Sequence, residues 1–136
     1  MVALMYIDLD GFKEVNDTMD HGAGDLLLQE AAVRLTACVR EVDTVARIGG
    51  DEFTIILPDI QKAFDVESVA RKVLARLAEP FVIRGTDVSI SGSVGVTVFP
   101  DDAEGAETLL RNADIAMYRA KEGGRNAFRF FSDPLD

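Results

Sequence analysis

Positive charge is scarce in this chain: 14 lysines and arginines stand against 24 aspartates and glutamates, a formal net charge of −10. A field of that sign repels polyanions, which argues against duplex DNA or RNA as a partner. A small phosphorylated ligand remains compatible with it where divalent metal neutralises the charge locally. Cysteine is nearly absent. The single Cys38 excludes an internal disulfide and makes a reducing cytoplasm the default compartment, with Cys38 itself read as small core filler. Long apolar runs are missing too, since none approaches the ~20 residues of a membrane span. Asp8 and Asp10 also interrupt the first apolar run, which removes a signal-peptide reading. Internal repeats and low-complexity segments are lacking. What is there, 136 residues of which 48% are hydrophobic and 28% charged, describes one globular domain with a sizeable core.

Val2–Ile7 is a continuous apolar run and reads as a buried strand reaching Asp8. A short helix is predicted from Gly11 and Phe12 to about Asp20, broken by His21-Gly22-Ala23-Gly24, with a longer one from Asp25 to Arg40. Thr44–Ile48 and Phe53–Leu57 are β-rich and flank Gly49-Gly50-Asp51-Glu52, which reads as a hairpin. Val66 to Leu77 has helical spacing, Phe81–Ile83 and Val88–Phe99 are β-type, Glu107–Lys121 is helical, and Ala127–Phe131 is a last strand. Alternating strands and helices with hairpins mixed in predict an α/β fold, or α+β sandwich, with a mixed central sheet flanked by helices. Residues 1–131 read as one domain and 132–136 as the start of a linker. A chain that enters a core strand at its second residue reads as an excised fragment, expected to be mostly monomeric.

Two acidic pairs carry the chemistry: Asp8/Asp10 at a strand end, and Asp51/Glu52 in a glycine turn. Singly, such carboxylates are ordinary solvated turn residues. Here apolar sequence leads into both, so Asp8 emerges at the lip of the sheet, and Asp51 converges on it if the two strands are neighbours. A like-charged pair is costly without a cation between its members. Oxygen ligands of this kind suit Mg²⁺, which shares its shell with water and phosphate. Gly49 and Gly50 would let phosphates approach the backbone. Chemistry alone thus points to metal-assisted nucleotidyl transfer, with a polymerase-like palm as an equal rival.

RIGGDEF (Arg47–Phe53) contains the signature that names the GGDEF, or diguanylate cyclase, family. DLDGFKEVND (Asp8–Asp17), HGAGD (His21–Asp25), SGSVGV (Ser91–Val96) and ADIAMYRAKEGGRN (Ala113–Asn126) resemble further blocks of that family, in order and over nearly the whole chain. The resemblance implies a cyclase-like, palm-like fold and condensation of two GTP into cyclic di-GMP. It assigns Mg²⁺, with Mn²⁺ as the alternative ion, to Asp8, the Leu9 carbonyl, Asp51 and Glu52. Asp51 would assist deprotonation of the attacking hydroxyl, with Glu52 beside it. Asn16 and Asp25 would read guanine, an amide plus a carboxylate matching its O6 acceptor and N1/N2 donors, and His21 would lie near them. Gly49 and Gly50 would make room for the triphosphate, and Lys13, Lys121 and Arg125 would neutralise it. Two domains, each carrying one GTP, would meet as a transient homodimer.

Arg40-Glu41-Val42-Asp43 is an RxxD string at the spacing of the family's inhibitory product site, with Arg71 as a looser further ligand. On its own, the string reads as a helix-end arginine followed by a turn aspartate. Asp20 departs from the glycine that the family pattern places before the histidine, so the loop there is expected to shift. The resemblance also implies a D-x-L-T-x-L-x-N-R segment ahead of the first strand, joining the domain to a sensor, and regulatory domains on one parent chain in the cytoplasm, with a membrane-anchored parent as the alternative. FFSDPLD (Phe130–Asp136) resembles a junction toward a phosphodiesterase domain. The alternative is a non-catalytic GTP- or cyclic di-GMP-binding regulatory module, and the retained Asp8, Asp51 and Glu52 favour the enzyme.

Overall fold

The structure, a computed structural model, describes residues 1–132. Most of the linker expected at 132–136 therefore lies outside the described residues. Strand β1 (Val2–Asp10) is flanked by β3 (Glu52–Leu57) and β6 (Ser91–Phe99), both antiparallel to it. β2 (Thr44–Gly49) pairs with β3, and β7 (Ala127–Phe130) runs parallel to β6, giving the mixed order β2-β3-β1-β6-β7. A separate hairpin, β4 (Phe81–Ile83) and β5 (Thr86–Val88), stands apart from this sheet. The run read as one strand from Val88 to Phe99 is interrupted at Ser89 and Ile90, where the chain leaves the hairpin for the main sheet.

The helices divide between the two faces. Alternate residues of β1, Ala3, Met5, Ile7 and Leu9, join the larger core with α1 (Phe12–Thr18), α2 (His21–Ala37) and α3 (Ala63–Ala78). On α3 the buried set Val66, Ala70, Val73 and Leu77 follows the helical period. Leu4 and Tyr6 face the other way, toward Leu109, Ala113 and Met117 of α4 (Ala106–Glu122). Because Asp8 continues the Leu4–Tyr6 alternation, its carboxylate emerges on the α4 side. Gly95, opposite Tyr6 in the register, lets α4 approach: a β-carbon there would overlap the Ala113 carbonyl oxygen and the Met117 amide.

A second sequence expectation also changes. His21-Gly22-Ala23-Gly24 does not break a helix but forms the first turn of α2. The break falls at Met19 and Asp20, and the Asp20 carboxylate caps the new helix by accepting from the Ala23 amide at 2.8 Å. The two glycines serve close approach: a β-carbon at Gly24 would collide with the Asn16 side chain, and one at Gly22 with the Arg84 guanidinium. No helix among the described residues is long and apolar enough to cross a membrane.

Candidate active site

The register sets Asp8 opposite Glu52, and the Leu9 amide donates to the Asp51 carbonyl at 3.1 Å. Two acidic segments far apart in sequence thereby meet at one end of the sheet. Between them runs the Gly50-Asp51 turn, with Gly50 at φ 52 and nothing within 4 Å of either glycine's α-carbon substituent position, so the turn is open above. The Arg47 guanidinium braces it by donating to the Gly50 carbonyl at 2.9 Å.

Asp8 is buried. Lys121 Nζ, reaching down from the last turn of α4, pairs with its Oδ2, while Oδ1 is enclosed without a hydrogen-bond partner. Burial pushes the Asp8 carboxyl up, Lys121 opposes this, and the neighbouring Asp51 charge adds to it; the net direction is upward. Burial pulls on Lys121 in the opposite sense, but Asp8, Asp51 and Asp10 outweigh it and hold the ammonium above its ordinary value. Tyr6 lies beside Glu52, and burial followed by that contact raises its hydroxyl well above the usual range.

A buried carboxylate oxygen that lacks a hydrogen-bond partner, next to a second carboxylate, suits a hard divalent cation, because Lys121 engages only Oδ2 and leaves Oδ1 unsatisfied beside a like charge. Among the described residues no three His, Cys, Asp or Glu side chains gather into a metal-sized cluster. Asp8 and its neighbours are thus not drawn together as a closed set of ligands, and a cation such as Mg²⁺ takes the remainder of its shell from water and phosphate.

Asp10, grouped with Asp8 by sequence, has a separate environment. Its Oδ1 accepts from Ser93 Oγ at 2.8 Å, and its Oδ2 from Ser91 Oγ at 2.7 Å and the Asn126 amide at 3.1 Å.

On the far side of β1, Asn16 of α1 packs onto Gly24 of α2, and its Oδ1 is buried without a partner. Asp25 follows Gly24 in sequence and lines a cleft with Arg47 and Phe53. The α1–α2 contact thus joins Asn16 to the residue before Asp25, while the Asp25 cleft is lined without Asn16. His21 is the exposed first residue of α2, and Lys13 is exposed on α1. Asp20 also accepts from Arg84 Nη1 of the β4–β5 turn at 2.7 Å, which ties the start of α2 to that hairpin. Arg125 stands at φ 64 in the turn after α4, its amide bonded to the Ala120 carbonyl at 3.0 Å.

The RxxD string is closed on itself. Asp43, whose side chain is 1% exposed, accepts from the Arg40 amide at 2.7 Å and from Arg40 Nη2 at 2.8 Å. Arg40 also donates to the Pro58 carbonyl at 2.8 Å and lines a cavity of about 370 Å³ with Asp59, Asp65 and Lys72. Arg71 is not in that lining: it pairs with Glu67 at 2.6 Å and lies over the Phe128 ring. The residues that sequence reasoning passed over are Tyr6, Arg84 and the Ser91–Ser93 pair. Only the serines had a local signal, small polar residues alternating along a strand.

The diguanylate cyclase GGDEF domain profile matches residues 1–127. MucR of Pseudomonas aeruginosa, a bifunctional diguanylate cyclase/cyclic di-GMP phosphodiesterase, is 43% identical over 134 residues, which cover 98% of this chain and 19% of MucR. The GGDEF domain of TpbB from Pseudomonas aeruginosa superposes with a TM-score of 0.93 at 38% identity, over 95% of this chain and 81% of that one. The GGDEF domain of DgcB from Caulobacter crescentus, solved in complex with c-di-GMP, does so at 0.86 and 27% identity, over 97% and 78% of the two chains. The chain spans 17–19% of the length of the first curated relatives. Profile, relatives and fold agree with the acidic turn beside β1, and the chain belongs to the diguanylate cyclase GGDEF domain family.

Proposed function

We propose that this domain is an active diguanylate cyclase that joins two GTP into cyclic di-GMP and pyrophosphate. The observation that carries the reading is the bare Asp8 Oδ1 beside Asp51 under an open glycine turn. Asp8, the Leu9 carbonyl, Asp51 and Glu52 would hold Mg²⁺ or Mn²⁺, which when bound neutralises the charge developing on the phosphates. Asn16 and Asp25 orient the guanine, with His21 at their edge. Gly49 and Gly50 admit the triphosphate, Lys13 and Arg125 meet it, and Lys121 exchanges Asp8 for phosphate oxygen. Asp51 takes the proton of the 3′-hydroxyl as that oxygen bonds to the α-phosphorus of the GTP on a facing domain. The bond to pyrophosphate breaks in line, so the chemistry is mostly positioning and charge stabilisation. A transient homodimer is required, and other domains of a cytoplasmic parent chain would govern its formation.

Incubation with GTP and Mg²⁺ should yield cyclic di-GMP, slowly for the untethered chain, because linkage raises effective concentration to roughly millimolar. GTP bound without product would make the domain a regulatory nucleotide-binding module instead. ATP should be a poor substrate: adenine presents a donor at C6 and lacks the N2 amine, and each mismatched polar group costs about 1–3 kcal/mol. Gly24→Ala should erase that preference by expelling the Asn16 amide, measured as converging GTP and ATP affinities in calorimetry.

Product inhibition through Arg40 and Asp43 belongs to the same reading. Asp43 holds the Arg40 guanidinium in a fixed orientation, half exposed, where it can fork onto a phosphate or a guanine edge. Arg71 would join it only by releasing Glu67. Arg40→Ala is expected to weaken cyclic di-GMP binding by about 1.5–3 kcal/mol and relieve inhibition without changing the KM for GTP. Equal inhibition of both proteins would reduce the string to a helix end.

A further inference from the structure

The buried carboxylate of Asp10 is surplus to the reading above. It lies two residues from Asp8 on the same face of β1, yet the two differ in what surrounds them. Asp8 has one bare oxygen and a lysine, whereas both oxygens of Asp10 are occupied by neutral donors, two hydroxyls and one backbone amide. A carboxylate already saturated in this way is a poor candidate for a cation and a strong tether for whatever donates to it. Ser91 and Ser93 belong to β6, the strand next to β1. The third donor, the Asn126 amide, belongs to the turn between α4 and β7, 116 residues away in sequence.

That turn is an unfavourable one. Gly124, Arg125 and Asn126 stand at φ 120, 64 and 47, and the last two are not glycines. Non-glycine residues take such conformations when surrounding structure over-determines them. The α4 end supplies one constraint, through the Arg125 amide on the Ala120 carbonyl, and Asp10 supplies the other. The segment so fixed presents Arg125, and the helix before it presents Lys121 to Asp8.

We infer that Asp10 is a positioning residue for the triphosphate: it pins the Gly124–Asn126 turn to β1 and thereby sets Arg125 at a fixed place relative to Asp8 and Asp51. This rests on the reading that Arg125 binds phosphate. Asp10 touches neither substrate nor reacting atoms; it acts through the turn. The isosteric Asp10→Asn removes the charge and leaves one acceptor oxygen where there were two, so the Asn126 amide keeps only a neutral hydrogen bond and the tether weakens.

The test is calorimetric binding of GTP and of guanosine, each with Mg²⁺, to the 136-residue chain. Asp10→Asn is expected to weaken GTP roughly tenfold, the scale of one charge-assisted contact, and to leave guanosine unchanged. In an Arg125→Ala background the same substitution should cost no further GTP affinity, since the residue it acts through is gone. Ser91→Ala, which removes the hydroxyl that holds Oδ2 in place for the Asn126 amide, should show the same GTP-only pattern at smaller size, and it stands in if Asp10→Asn does not fold. Equal losses for GTP and guanosine, or a full additional loss in the Arg125→Ala background, would overturn the inference. If the unaltered chain binds guanosine as tightly as GTP, the phosphate reading itself falls, and the inference with it.

Discussion

Asp51→Ala is expected to abolish cyclic di-GMP formation, lowering turnover by about a thousandfold or more, the scale seen when a group stabilising transition-state charge is removed. Asp51 is the carboxylate whose charge acts on Asp8, and it sits in the open turn where a triphosphate would enter. The same substitution should leave the fold intact and raise the melting temperature measured without metal. The sign follows from Asp8: burial first and Asp51 among its neighbours push that carboxyl upward, so ionised Asp8 is held at a cost in the folded state. Such an acid contributes its stability in full below its unfolded pKa and loses it as pH rises through the raised folded one. Removing Asp51 lessens the cost, worth roughly 1–3 °C in a domain of this size. Calorimetric melting with and without Mg²⁺ reads the stability and chromatography of the GTP reaction reads the activity. Undiminished turnover would sink the assignment.

Gly95→Ala is expected to be the most damaging single methyl group added to this chain. The position lies in the middle of β6, opposite Tyr6, under the backbone of α4. Its β-carbon would overlap the Ala113 carbonyl oxygen and the Met117 amide nitrogen, both main-chain atoms that cannot rotate away. Either α4 lifts from the sheet or β6 bends, and overpacking of this kind costs roughly 3 kcal/mol or more. Because α4 carries Lys121 onto Asp8, nucleotide binding should fall along with stability. Gly105→Ala is the control: it has nothing within 4 Å, and its cost should stay under about 1 kcal/mol. Urea denaturation of the two variants should separate them; comparable midpoints would mean that α4 yields far more easily than close packing allows.

What could be read from the sequence and what could not differ in range. The apolar run of β1, the period of α3 and the glycine turn between β2 and β3 are local patterns, each confined to a few consecutive residues. Local sterics and burial decide those, so the sequence by itself was enough for most helices, for the mixed sheet and for every strand but β5, whose end it ran into β6. It was also enough to suspect that Asp8 and Asp51 meet if their strands are neighbours, and the β1–β3 pairing supplies that, although β2, which leads into Asp51, is mostly exposed. It failed at the start of α2, where two glycines looked like a break. Their role is to admit Asn16 and Arg84, side chains brought there from other elements. It set Asp8 apart from Asp10 only through the family resemblance, and the different surroundings of the two carboxylates exist only in space. The lysine on Asp8 and the amide on Asp10 arrive from 113 to 116 positions away along the chain. Arg71 and Lys72 illustrate the same limit: a one-residue step around α3 decides which of them faces the Arg40 cavity. Composition and period set which residues are buried, but a buried carboxylate takes its function from the donors that reach it, and only tertiary packing chooses those.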